Sequence, residues 1–152
     1  MNRGAPSIQL HNRQRGARLD VTGLQDFAER ALQLCLERSR RRSPNLTSLT
    51  KIDIVLVSDR RISTLHRKFM NIPGATDVIT FQHGEIFVSV ETALRQARRY
   101  RSSVEKEIKL YLVHGLLHLE GFDDTSAVKA RAMESAQTRL LSALEKREGS
   151  DR

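Results

Sequence analysis

Residues Ile52-Asp53-Ile54-Val55-Leu56-Val57 constrain the fold more than any other stretch of the chain. They are rich in β-branched side chains and nearly unbroken in apolar character, the pattern of a strand covered on both faces. The flanking sequence offers elements to cover it. Ser58 or Asp59 can cap a following helix that places Ile62, Leu65 and Phe69 on one face, and Asn71-Ile72-Pro73-Gly74 reads as a turn. Strands are expected at Asp77–Phe81 and Glu85–Val90, and the three residues Gln82-His83-Gly84 between them suit an antiparallel hairpin. Ser7–His11 is a candidate first strand.

Leu24, Phe27, Ala28, Ala31, Leu34 and Cys35 fall at helical spacing, and Arg38 to Pro44 ends that stripe. A basic helix is expected over Glu91–Arg101 and a largely apolar one over Val104–Glu120, stopped by Gly121. The last helix, about Ser126 to Lys146, is expected to turn Val128, Ala132, Met133, Leu140 and Leu144 inward. Helices mixed with a small, partly antiparallel sheet of about four strands make an α+β domain. The chain of 152 residues fits one such domain, with its core at about residues 7–146. Met1–Pro6 and Glu148–Arg152 are expected to fray.

Charge narrows the choice of partner. Lys and Arg number 26 against 18 Asp and Glu, a net charge of +8 that favours polyanions. No apolar run approaches the ~20 residues of a membrane span. Met1–Leu10 lacks the apolar core of a signal peptide. Cys35 stands alone, so no disulfide framework forms within the chain. These features predict a soluble cytoplasmic domain with an acidic partner and no membrane. Basic clusters lie at Arg38, Arg40, Arg41 and Arg42, at Arg95, Arg98, Arg99 and Arg101, and at Arg60, Arg61, Arg67 and Lys68. Such clusters suit phosphate contacts. Aromatic residues make up 5% with no Trp, and Phe27, Phe69, Phe81 and Phe87 are expected in the core. A base-stacking platform is therefore not expected, and RNA would be held by its backbone and shape. No recognition-helix motif supports DNA binding.

The residues that carry chemistry lie in Leu112–Asp124. His114 and His118 are four apart on an expected helix, so both rings project from one face. Two imidazoles in that relation can share a metal ion, with Asp123 or Asp124 returning toward them after Gly121 as a third ligand. The competing reading makes the histidines packing residues and Asp124 the cap of the next helix. Gly115 costs the helix ~1 kcal/mol relative to alanine, which marks a close approach of backbone or ligand. A zinc protease would carry its general-base glutamate where Gly115 stands, so that class is excluded. Asp77 and Glu85 can orient a histidine or accept a proton, but the favoured reading is structural, with Glu85 paired to a surface arginine. His66 and His83 are expected to be surface or packing residues.

The run His114-Gly115-x-x-His118-Leu119-x-Gly121-Phe122-Asp123 resembles the signature of the bacterial rRNA maturation factor and endoribonuclease family known as YbeY. Thr76-Asp77-Val78-Ile79-Thr80-Phe81 and Gly84-Glu85-Ile86 are similar to that family's Thr-Asp-Val-Leu-Ser-Phe and Gly-Asp-Ile segments. Leu65-His66-Arg67-Lys68-Phe69 stands where the family has Leu-Asn-x-x-Tyr/Phe. The resemblance covers about Ile52 to Leu141. It implies an α+β, metal-hydrolase-like fold with one zinc ion per chain, held by His114, His118 and Asp124. The implied activity is metal-dependent, single-strand endoribonuclease action in 16S rRNA 3′-end maturation and ribosome quality control. Ribosomal RNA and the small subunit would be its partners. Two positions depart from the family: Asp124 replaces the usual third histidine, and Met70 replaces an arginine, leaving Arg67 or Lys68 to contact RNA. The alternative is a non-catalytic, ribosome-associated assembly factor with a structural metal, although such sites normally close with four protein ligands.

Overall fold

The computed structural model describes residues 5–39 and 45–150. In chain order the elements are β1 (Ser7–Asn12), α1 (Val21–Ser39), α2 (Asn45–Ser48), β2 (Lys51–Val57), α3 (Asp59–Met70), β3 (Val78–Phe81), β4 (Glu85–Ser89), α4 (Val90–Arg99), α5 (Val104–Glu120) and α6 (Ala127–Ser150). The strands form one mixed sheet in the order β1-β2-β4-β3. β2 runs parallel to β1 and to β4, and β3 runs antiparallel to β4 as the hairpin spacing predicts. This is the expected α+β architecture. None of the described helices is long and apolar enough to cross a membrane.

The two faces of the sheet are covered unequally. Ile8 and Leu10 of β1, Ile52, Ile54 and Leu56 of β2, and Ile86 and Val88 of β4 are buried in one core with α1 and α5, on which α6 packs in turn. α5 lies at the centre of this layer, buried from Ile108 to Glu120 along most of its circumference. On the opposite face α3 contributes Ile62 and Leu65 to a small cluster with Val57 and Ile79. Asp53 and Val55 are only half-buried there. The expectation that β2 is covered on both faces is therefore corrected: one face is sealed and the other is partly open. The open part is a shallow depression of about 670 Å³ between Arg13, Lys51, Arg61 and Phe87. Across it His11 pairs with Asp53 at 2.7 Å.

Several local details follow from packing and hydrogen bonding. Ser58 is the cap of α3, its side chain accepting from the Arg61 N–H at 3.2 Å. That leaves the Asp59 carboxylate to accept from Ser89 Oγ, Thr92 Oγ1 and the Arg95 guanidinium at 2.5, 2.7 and 2.6 Å. Arg95, assigned by sequence to a basic cluster, thus pins α3 to α4. Arg38 likewise pairs with the buried Glu120 at 3.0 Å, and Arg40, Arg41 and Arg42 lie outside the described residues. Cys35 is fully buried, and desolvation, with the charge of Glu120, pushes its thiol up to about 12.

Two further expectations are corrected. In α6 the inward residues are Met133, Ala136, Leu140 and Leu144, while Ala132 is exposed and Val128 is 70% exposed. The helix starts so close to the surface that its first turn has nothing to pack on. Near its end Glu148 pairs with Arg30 at 2.8 Å and Lys109 at 3.7 Å. Phe69 continues the stripe of Ile62 and Leu65, but it lies beyond the cluster they enter and is 57% exposed. Phe81 and Phe87 are half-buried on that same face, and only Phe27 of the four phenylalanines is fully buried.

Candidate metal centre

α5 brings the two histidines together and the turn after it brings the carboxylate. The helix must approach the sheet closely to bury its face: a Cβ at Gly115 would stand 2.7 Å from Ile86 Cγ2 and 2.9 Å from Cδ1. The close approach that the mid-helix glycine marks is thus to the sheet. His114 and His118, on either side of Gly115, are half-buried, their rings 4.7 Å apart and nearly perpendicular at 81°.

Gly121 ends α5 with φ 117, a left-handed conformation open to glycine at little cost. Its N–H donates to the His118 and Leu117 carbonyls, both at 3.1 Å. The reversal carries the Phe122 carbonyl to His118 Nδ1 at 3.0 Å and swings Asp124 back toward the helix. One ligand atom each from His114, His118 and Asp124 lies within 4.8 Å of the others. Asp123 turns the other way, accepting from the Thr125 N–H at 3.1 Å and Thr125 Oγ1 at 2.8 Å. Those bonds hold its carboxyl below the usual carboxylate range. The cap of α6 is Ser126, whose Oγ accepts from Lys129 at 3.2 Å, so Asp124 is not needed for that role.

The donor set fits a cation. A carbonyl can only accept, so His118 Nδ1 carries the proton. His114 Nδ1 lies 3.0 Å from the side-chain amide of Gln137 on α6. The two Nε2 atoms face each other at 3.1 Å. Nitrogens bound to one tetrahedral zinc ion would lie about 3.3 Å apart, given bond lengths of about 2.0–2.1 Å. Burial, and then repulsion from His114, lowers the His118 pKa below the ordinary imidazole value, which keeps the ring neutral and able to ligate. Asp124 is exposed, so a bound ion would keep an accessible side.

Other sequence candidates lie elsewhere. Arg67 and Lys68 are exposed in the last turn of α3, on the opposite face of the sheet from α5. Asp77 accepts from the Val78 N–H at 2.8 Å and serves the start of β3, as the structural reading expects. Glu85 pairs with His83 at 2.5 Å, not with an arginine. His66 Nδ1 meets the Gly74 carbonyl at 3.0 Å in the surface turn. Sequence reasoning missed Gln137 altogether. Its one trace is a polar residue beside Ala136, at the edge of the inward stripe of α6.

A mixed sheet backed by a buried helix, with two histidines and an aspartate grouped at the helix end, defines a small α+β protein with a candidate metal centre. The model of the endoribonuclease YbeY family matches residues 9–145. An endoribonuclease YbeY from Anaeromyxobacter sp. (strain Fw109-5) is 39% identical over 103 residues, 61% of this chain and 54% of that protein. One from Gluconobacter oxydans (strain 621H) is 32% identical over 133 residues, 84% of this chain and 77% of that protein. The chain therefore spans about half the length of the Anaeromyxobacter relative. A Thermotoga maritima protein solved in solution shares the fold, with a TM-score of 0.65 over 95% of this chain and 93% of that one at 22% identity. The chain belongs to the endoribonuclease YbeY family.

Proposed function

We propose that the protein is a metal-dependent endoribonuclease that hydrolyses single-stranded RNA. Its substrate is ribosomal RNA of the small subunit, cleaved during 16S 3′-end maturation and ribosome quality control in the cytoplasm. One zinc ion per chain is held by His114, His118 and Asp124. The observation that carries this reading is the pair of Nε2 atoms 3.1 Å apart beside the Asp124 carboxylate. Gln137 and the Phe122 carbonyl fix the two rings so that Nε2 is the atom each presents. When bound, the ion would supply Lewis acidity that offsets charge developing on a phosphodiester. Asp124 adds an anionic ligand where the family has a neutral one. The net charge of +8 draws in the polyanion, and exposed basic side chains such as Arg67 and Lys68 contact its phosphates.

The test begins with metal content by mass spectrometry on wild type, His114→Ala and His118→Ala. About one metal per chain is expected in wild type and loss in both variants, with metal-restorable cleavage of single-stranded precursor rRNA by wild type alone. Metal-free wild type purified without chelator, or cleavage that survives both substitutions, overturns the proposal.

A further inference from the structure

The exposed aromatic side chains on the α3 side of the sheet are arranged in file. Phe69, at the end of α3, meets the ring of Phe81 edge-on at 5.2 Å and 77°. Phe81, at the end of β3, is supported from below by Phe87 at 5.8 Å, again edge-on. On its other side the His83 imidazole lies nearly parallel to it, at 5.7 Å and 22°. His83 is held in place by Glu85 at 2.5 Å and keeps 67% of its side chain exposed. Phe81 is thus a half-buried support between two rings that face solvent.

The file has a charge and a direction. The Lys68 ammonium sits 5.4 Å from the Phe69 ring centroid, and Arg67 is exposed beside it. At the other end, Gln82 lies between Phe81 and His83 in the chain, and its Nε2 donates to the His118 carbonyl at 3.4 Å. The turn that carries His83 is therefore in contact with the last turn of α5, where the candidate metal ligands sit. Exposed rings with cations beside them suit a strand that offers flat bases and phosphates together. A duplex keeps its bases stacked on one another and offers no free faces.

We propose that Phe69 and His83, braced by Phe81, form a base-stacking track that binds single-stranded RNA and leads it around the β3 edge to the metal centre, with Lys68 and Arg67 on its phosphates. This rests on the reading of the protein as a ribonuclease and adds how it selects single strands.

The chain contains no tryptophan, so Phe69→Trp installs a single indole reporter in the track. Binding is measured on the protein as purified, at low temperature with strand integrity checked by gel, by titrating with a short oligoadenylate, an abasic oligomer of equal length and charge, and an RNA duplex. The oligoadenylate is expected to quench the indole emission and the abasic oligomer to leave it unchanged. By anisotropy, Phe69→Ala is expected to weaken oligoadenylate binding by about 5- to 150-fold, the range for losing one stacked base. Phe69→Tyr is expected to retain it, and His83→Ala to weaken it in the same sense. Affinity of wild type for the abasic oligomer should already be low and unaffected by Phe69→Ala. Equal affinity for the base-bearing and abasic oligomers, or indifference to Phe69→Ala, overturns the track while leaving the ribonuclease reading intact. In that case the patch suits a protein partner. Failure of wild type to bind any of the three RNAs overturns both.

Discussion

The two faces of the sheet teach different things about one chain. On the α5 face, Ile52, Ile54, Leu56, Ile86 and Val88 share one core with the helices and are sealed from solvent. On the α3 face, the alternate residues Asp53, Val55, Glu85 and Phe87 are half-buried and share the surface with ion pairs and rings. The sealed face makes the fold, and it fixes the histidines by pressing Gly115 onto Ile86. The open face adds little burial, and its side chains remain available to a ligand.

The comparison can be broken most directly by truncating one residue on each side. Leu116→Ala, in the sealed layer, is expected to cost about 2–5 kcal/mol in denaturant unfolding. Phe69→Ala should stay within about 0.5 kcal/mol of wild type, as for an exposed residue without such a role. Similar losses in the two variants would erase the distinction.

A smaller effect is expected where α3 is tied down. Burial alone would raise the Asp59 carboxyl, but hydrogen bonds from Arg95, Ser89 and Thr92 outweigh it and hold the group below its ordinary value. The fold therefore favours the ionised form. That stabilisation is fully present above the unfolded pKa of about 3.9 and is lost as pH falls through the lower folded value. Asp59→Asn is expected to cost about 1–3 kcal/mol at pH 7, with the gap from wild type narrowing below about pH 4. A gap that does not change with pH would mean that the carboxylate charge contributes nothing.

The smallest change in stability is expected at Asp124, despite its place among the proposed ligands. Asp124→Ala in metal-free protein should melt within about 0.5 kcal/mol of wild type, because the residue is exposed and Ser126 caps α6. Metal content, measured alongside, should fall. Unfolding of the wild type itself when its metal is stripped would instead point to a structural metal and to the assembly-factor alternative.

Legibility in the sequence follows the same divide. The sheet, the hairpin and α5 were readable because apolar periodicity records burial, and burial is nearly complete on that side. The histidine pair was readable because its spacing is set within one helix. Spacing left Asp123 and Asp124 open and only the resemblance singled out Asp124, since the geometry depends on the left-handed turn at Gly121 and on Thr125 engaging the nearer carboxylate. Gln137 reaches His114 from 23 positions away, which no local pattern encodes. Phe69 has the spacing of a core residue, but spacing does not say where the packed cluster beneath the helix ends. Arg38 and Arg95 read as free charge, although each has a specific carboxylate partner that only the fold supplies.

Cys35 gives the sealed face a built-in clock. It is the chain's single thiol, lies on the inner side of α1 with no exposure, and is held well above the usual thiol range by that burial. A thiol reagent can therefore mark the protein only when the interior opens. The rate of labelling at one atom then counts openings of the layer that positions the histidines, with no engineered label.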